Sequence, residues 1–410
     1  MVRKNEINIK TFGAIGDGLH DDQPIIQLAL DSDAKRIVFP YGTYLLGAPL
    51  RISSDTVLEL HPNARMSLAD GALKGPDDFL LTNKNQEAGD QNIKICGGIW
   101  DGNNPGNVRG ELYDTTSITG TMLHFRNVQG LVMENMVLTD PECYYICLCE
   151  VRDFRIENIS FETHHLRFNQ DGVHLAGGCE NGVIRHLRGT PGSPDDDCIA
   201  INADDCLTRL QNLATRNGSI RNILVEDIDC PLCHTFVRMG CVDSTIENIR
   251  IHGIRGGCNN FLLNLDATRY CKTPIIRPDN PRYFSGVGHV RNVEVSDIYV
   301  CSRTGKDPLI TIEEDVEDFH VRDIRIDHAH SAMPESPILR IRNCRPSRIR
   351  IDGIQEAQAK AISAEGCIAE LTEEESVFGS VQYSVVIEKP FYQTVEVPSG
   401  DVKEINIEPF

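Results

Sequence analysis

One short pattern recurs along this chain and restricts its fold more than any other feature: apolar, any residue, apolar, any residue, Asn, Asp or Gly, apolar. It appears at Leu131–Leu138, Phe154–Phe161, Ile223–Ile228, Ile249–Ile254, Val293–Ile298, Phe319–Ile324 and Ile349–Ile354. Measured at the second apolar anchor, copies stand 23 residues apart from Met136 to Ile159 and 26 from Ile228 to Ile254. They stand 26 apart from Ile298 to Ile324 and 30 from Ile324 to Ile354. Two wider steps, 69 residues from Ile159 to Ile228 and 44 from Ile254 to Ile298, read as skipped or distorted coils.

Alternation with period two means strands with one buried face. The Asn, Asp or Gly between two strand pieces tolerates unusual backbone angles or caps the backbone with its side chain. A helical solenoid needs 3.6-residue periodicity, which is missing, and so is the Leu and Asn framework of leucine-rich repeats. A parallel β-helix remains, each coil contributing short strands to long parallel sheets. Residues 22 to 31 predict a short amphipathic helix with a capping Asp22 and Pro24 near its start, placed to cover open strand edges. After Ile354 the repeat fades into helical composition from Gln355 to Glu375, then strand-like runs at Tyr383–Ile387 and Thr394–Ile407. The chain therefore reads as a β-helix over residues 1–355, with an N-terminal cap in about 1–45. Residues 356–410 read as a C-terminal extension or cap, open to a role between subunits of a dimer or trimer.

With 60 acidic against 40 basic residues the net charge is −20, and no basic block exists. Nucleic acid and anionic membrane are poor partners for such a surface. No apolar run reaches 18 residues. Met1–Glu6 is not followed by the apolar core of a signal peptide, which predicts a cytoplasmic protein, or a secreted one if a native signal peptide precedes it. The 15 cysteines cannot all pair, and near neighbours such as Cys143, Cys147 and Cys149 form no zinc-type pair of Cys-x-x-Cys motifs. Cys230 and Cys233 have that spacing, but Pro231 predicts a turn. Reduced structural thiols fit the cytoplasm.

Acid motifs sit about one coil apart. Asn169-Gln170-Asp171-Gly172-Val173-His174 is followed by Asp195-Asp196-Asp197-Cys198-Ile199-Ala200-Ile201-Asn202, and then by Cys233-His234-Thr235-Phe236-Val237-Arg238. Residues one period apart in a repeat fold become neighbours, and clustered carboxylates shift one another's proton affinity, which suits acid–base chemistry.

On these motifs the chain resembles the polygalacturonase-like glycoside hydrolases (family 28) of the pectin-lyase-like β-helix superfamily. Phe12-Gly13-Ala14-Ile15-Gly16-Asp17-Gly18 is similar to the entry motif of many such chains, and Val38-Phe39-Pro40-Tyr41-Gly42-Thr43-Tyr44 follows as it does in them. Gly98-Ile99-Trp100-Asp101-Gly102-Asn103 looks like the segment before the active coils. Asn169-Gln170-Asp171-Gly172 resembles the family's Asn-Thr-Asp-Gly, and Asp196-Asp197-Cys198-Ile199-Ala200 its Asp-Asp-Cys-Val-Ala. The similarity runs over roughly residues 8 to 355. It implies a right-handed β-helix in which Asp196 protonates the leaving oxygen while Asp171 and Asp197 position and deprotonate a water. That scheme needs no metal or other cofactor. An inverting glycosidase separates its carboxyls by roughly 6.5–9.5 Å to admit that water.

Two family motifs depart. Its Gly-His-Gly, whose His tunes the acid, is matched by Cys233-His234-Thr235 in one alignment, making His234 a catalytic neighbour; aligning the strand instead puts Thr235 in that place. A one-residue slip reverses the face. The family's Arg-x-Lys clamp on a galacturonate carboxylate falls on Phe261–Leu265, which has no cation. A neutral sugar, or a carboxylate held differently, follows from losing those charged hydrogen bonds. Arg238 is the substitute, in an outward column His174, Ala200, Arg238, Asn264.

Candidate substrate-binding residues are thus His174, Asn202, Arg238 and Asn264, with His165 in the His164-His165 pair and Arg269 in an insertion that also holds Tyr270 and Lys272. Asp204-Asp205 leave Ca²⁺ open as a ligand. Trp100 reads equally as a sugar-stacking surface or a coil corner. The catalytic candidates are Asp171, Asp196, Asp197 and His234. The expected function is inverting hydrolysis of an oligo- or polysaccharide, pectin-related or another plant or microbial glycan. A lyase or epimerase on the same scaffold and a non-catalytic glycan-binding β-helix are the alternatives.

Overall fold

In a computed structural model of the chain, the recurring pattern lies on strands, and its Asn, Asp or Gly position is where each coil turns. Backbone φ there is positive throughout: 59° at Asn135, 53° at Asn158, 60° at Asp227, 55° at Asp297 and 57° at Asp323. Asn and Asp enter this left-handed region at lower cost than other side chains, which is why the pattern admits so few residues. The amides also stack: Asn158 Nδ2 donates to Asn135 Oδ1 at 3.0 Å, and at a second left-handed corner, just before the pattern, Asn248 Nδ2 donates to Asn222 Oδ1 at 3.0 Å. The structure describes residues 5–110, 116–204, 214–266, 288–328, 330–332, 336–342, 346–357, 371–375, 381–385, 394–397 and 402–407.

The chain divides into two compact units, Met1–Asp196 with Leu210–Arg216, and Asp197–Arg209 with Asn217–Phe410. In the first, strands Arg36–Phe39, Val57–Leu60, Asp90–Cys96, Val128–Thr139, Arg152–Glu162 and Glu180–Gly189 pair in parallel. Their register stacks Ile37, Leu58, Ile95, Met133, Ile156 and Ile184, all fully buried. In the second, strands Ile220–Gly240, Ile246–Leu265, Val290–Arg303, Val316–Asp327 and Pro346–Asp352 stack Val225, Ile251, Val295, Val321 and Ile351 the same way. Each such side chain contributes about 1.5–3 kcal/mol by leaving water. The architecture is the expected right-handed parallel β-helix.

The two wide repeat steps are, as expected, one in which the pattern skips a coil and one in which a coil is enlarged. Leu187 lies in register with Ile159, and His186 takes the turn position at φ 57°, so a copy was hidden by an unlisted turn residue. Ile254 pairs directly with Ile298; the excess residues of that step fall between the strand ending at Leu265 and the one starting at Val290.

A four-residue helix, Ile9–Phe12, precedes the expected one, which spans Gln23–Leu30 and buries Ile26, Ala29 and Leu30. Asp22 is its N-cap residue, yet its carboxylate accepts from the backbone of Ile15 and Gly16 and ties down the preceding loop instead. At the other end Thr394–Val397 and Val402–Ile407 run antiparallel to Leu339–Arg342 and Pro346–Asp352, covering the last coil's edges. Gln355–Ala357 and Leu371–Glu375 are strands rather than helix. Cys230 and Cys233 lie in one continuous strand with a register irregularity between them, not in a turn. Every cysteine among the described residues is a free thiol. No helix among the described residues is long and apolar enough to cross a membrane.

Candidate functional site

Asp171 and Asp196 belong to the first unit and Asp197 to the second, and each set is positioned by the coils of its own unit. In the first unit, strand Val173–Ala176 pairs with Ile146–Cys149, placing His174 beside Cys147. The turn before it has Asn169 at φ 65°, and the fully buried Gln170 donates to Pro141 O at 2.7 Å. Asp171 is therefore held at the mouth of the strand, 3% exposed, with its backbone O accepting from Tyr145 N at 2.9 Å. Its Oδ2 lies 2.7 Å from His174 Nδ1. The imidazole stacks on Tyr144, centroids 4.0 Å apart and planes 17° apart. Asp196 is half-buried, and Asn169 Nδ2 donates to its Oδ2 at 3.3 Å.

Charged groups border these first-unit residues. Glu142, 5% exposed, takes Arg167 Nε at 2.9 Å and lies 3.9 Å from Arg109; burial lifts its carboxyl above the usual range against the pull of both guanidiniums. Burial acts upward on Asp140 too, but the His164 and His165 backbone N–H groups and the His164 ring together hold its carboxyl low. His165 is thus anchored by its backbone to Asp140, with an exposed side chain whose Nδ1 is 3.6 Å from the Asp140 carboxylate.

In the second unit, strand Asp197–Asn202 pairs with Ile220–Gly240, matching Asp197 to Thr235, Ala200 to Arg238 and Asn202 to Gly240. The next strand matches Arg238 to Asn264, so the second-unit part of the expected column, Ala200, Arg238, Asn264, is present. A ring nitrogen of His234 and a carboxylate oxygen of the buried Asp197 lie within 4.8 Å. Both candidates for the histidine position are used: Thr235 is fully buried in register with Asp197, and its Oγ1 lies 3.0 Å from His234 Nδ1. Asn260 Nδ2 donates to His234 Nε2 at 2.7 Å, which leaves Nδ1 to carry the ring hydrogen.

Arg238, although charged, is 7% exposed; its Nε donates to Asp266 Oδ1 at 3.0 Å, and Asn264 Nδ2 donates to Asp266 Oδ2 at 3.0 Å. Asn202 is buried at the end of its strand. Asp204 directs its carboxylate to the backbone N–H groups of Val242, Asp243 and Ser244, closing a turn. Trp100 is fully buried in the middle of strand Ile99–Asp101, in register with Met66 and Leu138, and its Nε1 donates to Gly97 O at 3.1 Å; it is a core residue of the coil, neither a corner nor a sugar platform. Arg269, with Tyr270, Lys272 and Asp205, lies outside the described residues. Sequence reasoning missed Tyr144, Asn260 and Asp266 as partners.

A family model described as rhamnogalacturonase A/epimerase, pectate lyase-like, matches residues 6–259. A preneck appendage protein of Bacillus phage PZA is 33% identical over 100 residues, 24% of this chain and 11% of that protein. A probable polygalacturonase of Arabidopsis thaliana is 23% identical over 275 residues, 62% of this chain and 53% of that protein. The chain thus matches about a tenth of the phage relative's length and about half of the plant one's. Among solved structures, endo-xylogalacturonan hydrolase from Aspergillus tubingensis superposes with TM-score 0.59 at 15% identity, over 85% of this chain and 92% of that one. The Streptococcus pneumoniae surface protein and adhesin PfbA superposes with TM-score 0.54 at 17% identity, over 86% and 95%.

Proposed function

The chain belongs to the rhamnogalacturonase A/epimerase, pectate lyase-like family, and from that premise we propose that it is a glycoside hydrolase inverting the anomeric centre it attacks. Asp196 donates the proton to the leaving oxygen, while Asp171 and Asp197 orient and deprotonate the attacking water. The observation that carries this reading is the restraint on the first two carboxylates: Asp171 is bound by a stacked His174, and Asp196 is steered by Asn169. Acid–base catalysis needs carboxyls held to a fraction of an ångström. Asp197, beside His234 and Thr235, has comparable support. The substrate is an oligo- or polysaccharide, pectin-related or another plant or microbial glycan. Its sugar at the Arg238–Asn264 column is neutral, or holds its carboxylate elsewhere, because Arg238 already spends its charge on Asp266.

Following anomeric proton signals by NMR on a panel of neutral and uronate oligosaccharides tests this. The expected first product has inverted configuration and is absent with Asp196→Asn. Retention of configuration, or an unchanged rate in that variant, defeats the assignment.

An unsaturated, ultraviolet-absorbing product would mark a lyase instead. Arg238 is badly placed to act as its base, since its Nε already donates to the buried Asp266 carboxylate. The likeness to an adhesin favours a second reading, a β-helix that binds glycan without cleaving it; there Asp196→Asn leaves every property but affinity intact.

A further inference from the structure

In the two coils before His174, on the same strand column, lies a cluster that the glycosidase scheme does not use. His124 pairs in register with Cys147, and Cys147 with His174. Cys149 follows Cys147 by two residues on strand Ile146–Cys149 and so shares its face. A ring nitrogen of His124 and the Sγ atoms of Cys147 and Cys149 all lie within 4.8 Å of one another, and all three residues are at most 1% exposed.

We propose that His124, Cys147 and Cys149 form a binding site for a thiophilic divalent cation, Zn²⁺ in the first instance. Two thiolates and one imidazole are a donor set that zinc prefers, and three protein ligands leave a fourth position open. The ring is already positioned: Phe79 stacks on it with centroids 4.2 Å apart and planes 10° apart. His124 Nε2 lies 3.2 Å from Ala214 O and 3.9 Å from Cys149 Sγ, and Cys149 Sγ lies 3.5 Å from the same carbonyl. Donors converging on one carbonyl oxygen are what such a site looks like with protons in place of the cation. The other ring nitrogen, Nδ1, is buried with no hydrogen-bond partner among the described residues. Cys143, Tyr144 and Ala176 complete the wall around the thiols. Binding releases the thiol protons of Cys147 and Cys149 and ties strand Leu123–Arg126 to Ile146–Cys149.

The test uses the full chain, reduced and metal-stripped, titrated with Co²⁺ and then displaced by Zn²⁺. The expected result is one cation per chain, a thiolate-to-cobalt charge-transfer band that Zn²⁺ abolishes, and a higher melting temperature with Zn²⁺. Cys147→Ser and Cys149→Ser should each remove the band, while Cys96→Ser, a partly exposed thiol elsewhere, should keep it. A band that survives the Cys147→Ser/Cys149→Ser double variant, or no band in the parent chain, overturns the site. Should the serine variants not fold, X-ray absorption on the Zn²⁺-loaded parent decides: sulfur with nitrogen in the shell supports the site, and a shell of nitrogen and oxygen alone refutes it.

Discussion

His174 Nδ1 and Asp171 Oδ2 stand 2.7 Å apart, and both side chains are almost fully buried. An ionised carboxylate only accepts, so the imidazole donates from Nδ1. Its ring cannot swing away because Tyr144 stacks on it. The pair is a lock on the orientation of Asp171, with the histidine acting through the carboxylate and Tyr144 acting through the histidine.

His174→Ala should accordingly lower kcat by about 10²-fold, the scale on which small misplacements of a reacting group are felt, and change KM little. Steady-state kinetics on the best substrate from the oligosaccharide panel checks this. His174→Asn, which keeps a short donor toward Asp171, should recover part of the loss; equal loss in both variants would mean the ring matters for packing rather than for its hydrogen bond.

Much of the fold was legible because its turn position tolerates so few residues. A left-handed φ at Asn135, Asn158, Asp227, Asp297 and Asp323 leaves a mark that periodicity alone would not. His186 meets the same backbone demand with a residue outside that short menu, so its coil escaped notice. The acid motifs were legible because the residues of each are contiguous. Their partners were not: Tyr144 meets His174, and Asp266 meets Arg238, only once the strand register is set. No local pattern marks such pairs. Thr235 and His234 could not be told apart as candidates because the register irregularity between Cys230 and Thr235 breaks the alternation from which faces are read.

The Arg238–Asp266 pair is a prediction about stability as well as binding. Arg238→Met takes the guanidinium away from the carboxylate of Asp266, which is 1% exposed; breaking a buried ion pair from one side should cost about 3–5 kcal/mol. The double variant Arg238→Met/Asp266→Leu should regain most of that, since well-packed apolar replacements of buried pairs are often neutral. Urea unfolding of the parent and the variants measures the difference; additive losses in the double variant would show that the two side chains act separately.

The acid limb of stability should depend on Asp90. Burial alone would raise its carboxyl, yet Ser54, Asn85 and Asn83 bring it below its ordinary 3.8. Its two oxygens accept from Ser54 N and Oγ at 3.1 and 2.7 Å, Asn83 Nδ2 at 3.1 Å, and Asn85 N and Nδ2 at 2.8 and 3.0 Å. The folded chain thus binds this proton less readily than the unfolded one. Its contribution is therefore complete above the ordinary aspartate value and is lost as pH falls from there through the lower folded value. Asp90→Asn puts an amide donor where five donors already converge. It should cost about 1.5–3 kcal/mol at neutral pH, the worth of hydrogen bonds to a charged group. The same substitution should flatten the fall in melting temperature on acidification below about pH 4, the unperturbed aspartate value. Thermal melts of both proteins from neutral to acid pH check the two effects together; parallel curves with a constant offset would place the acid sensitivity on another carboxylate.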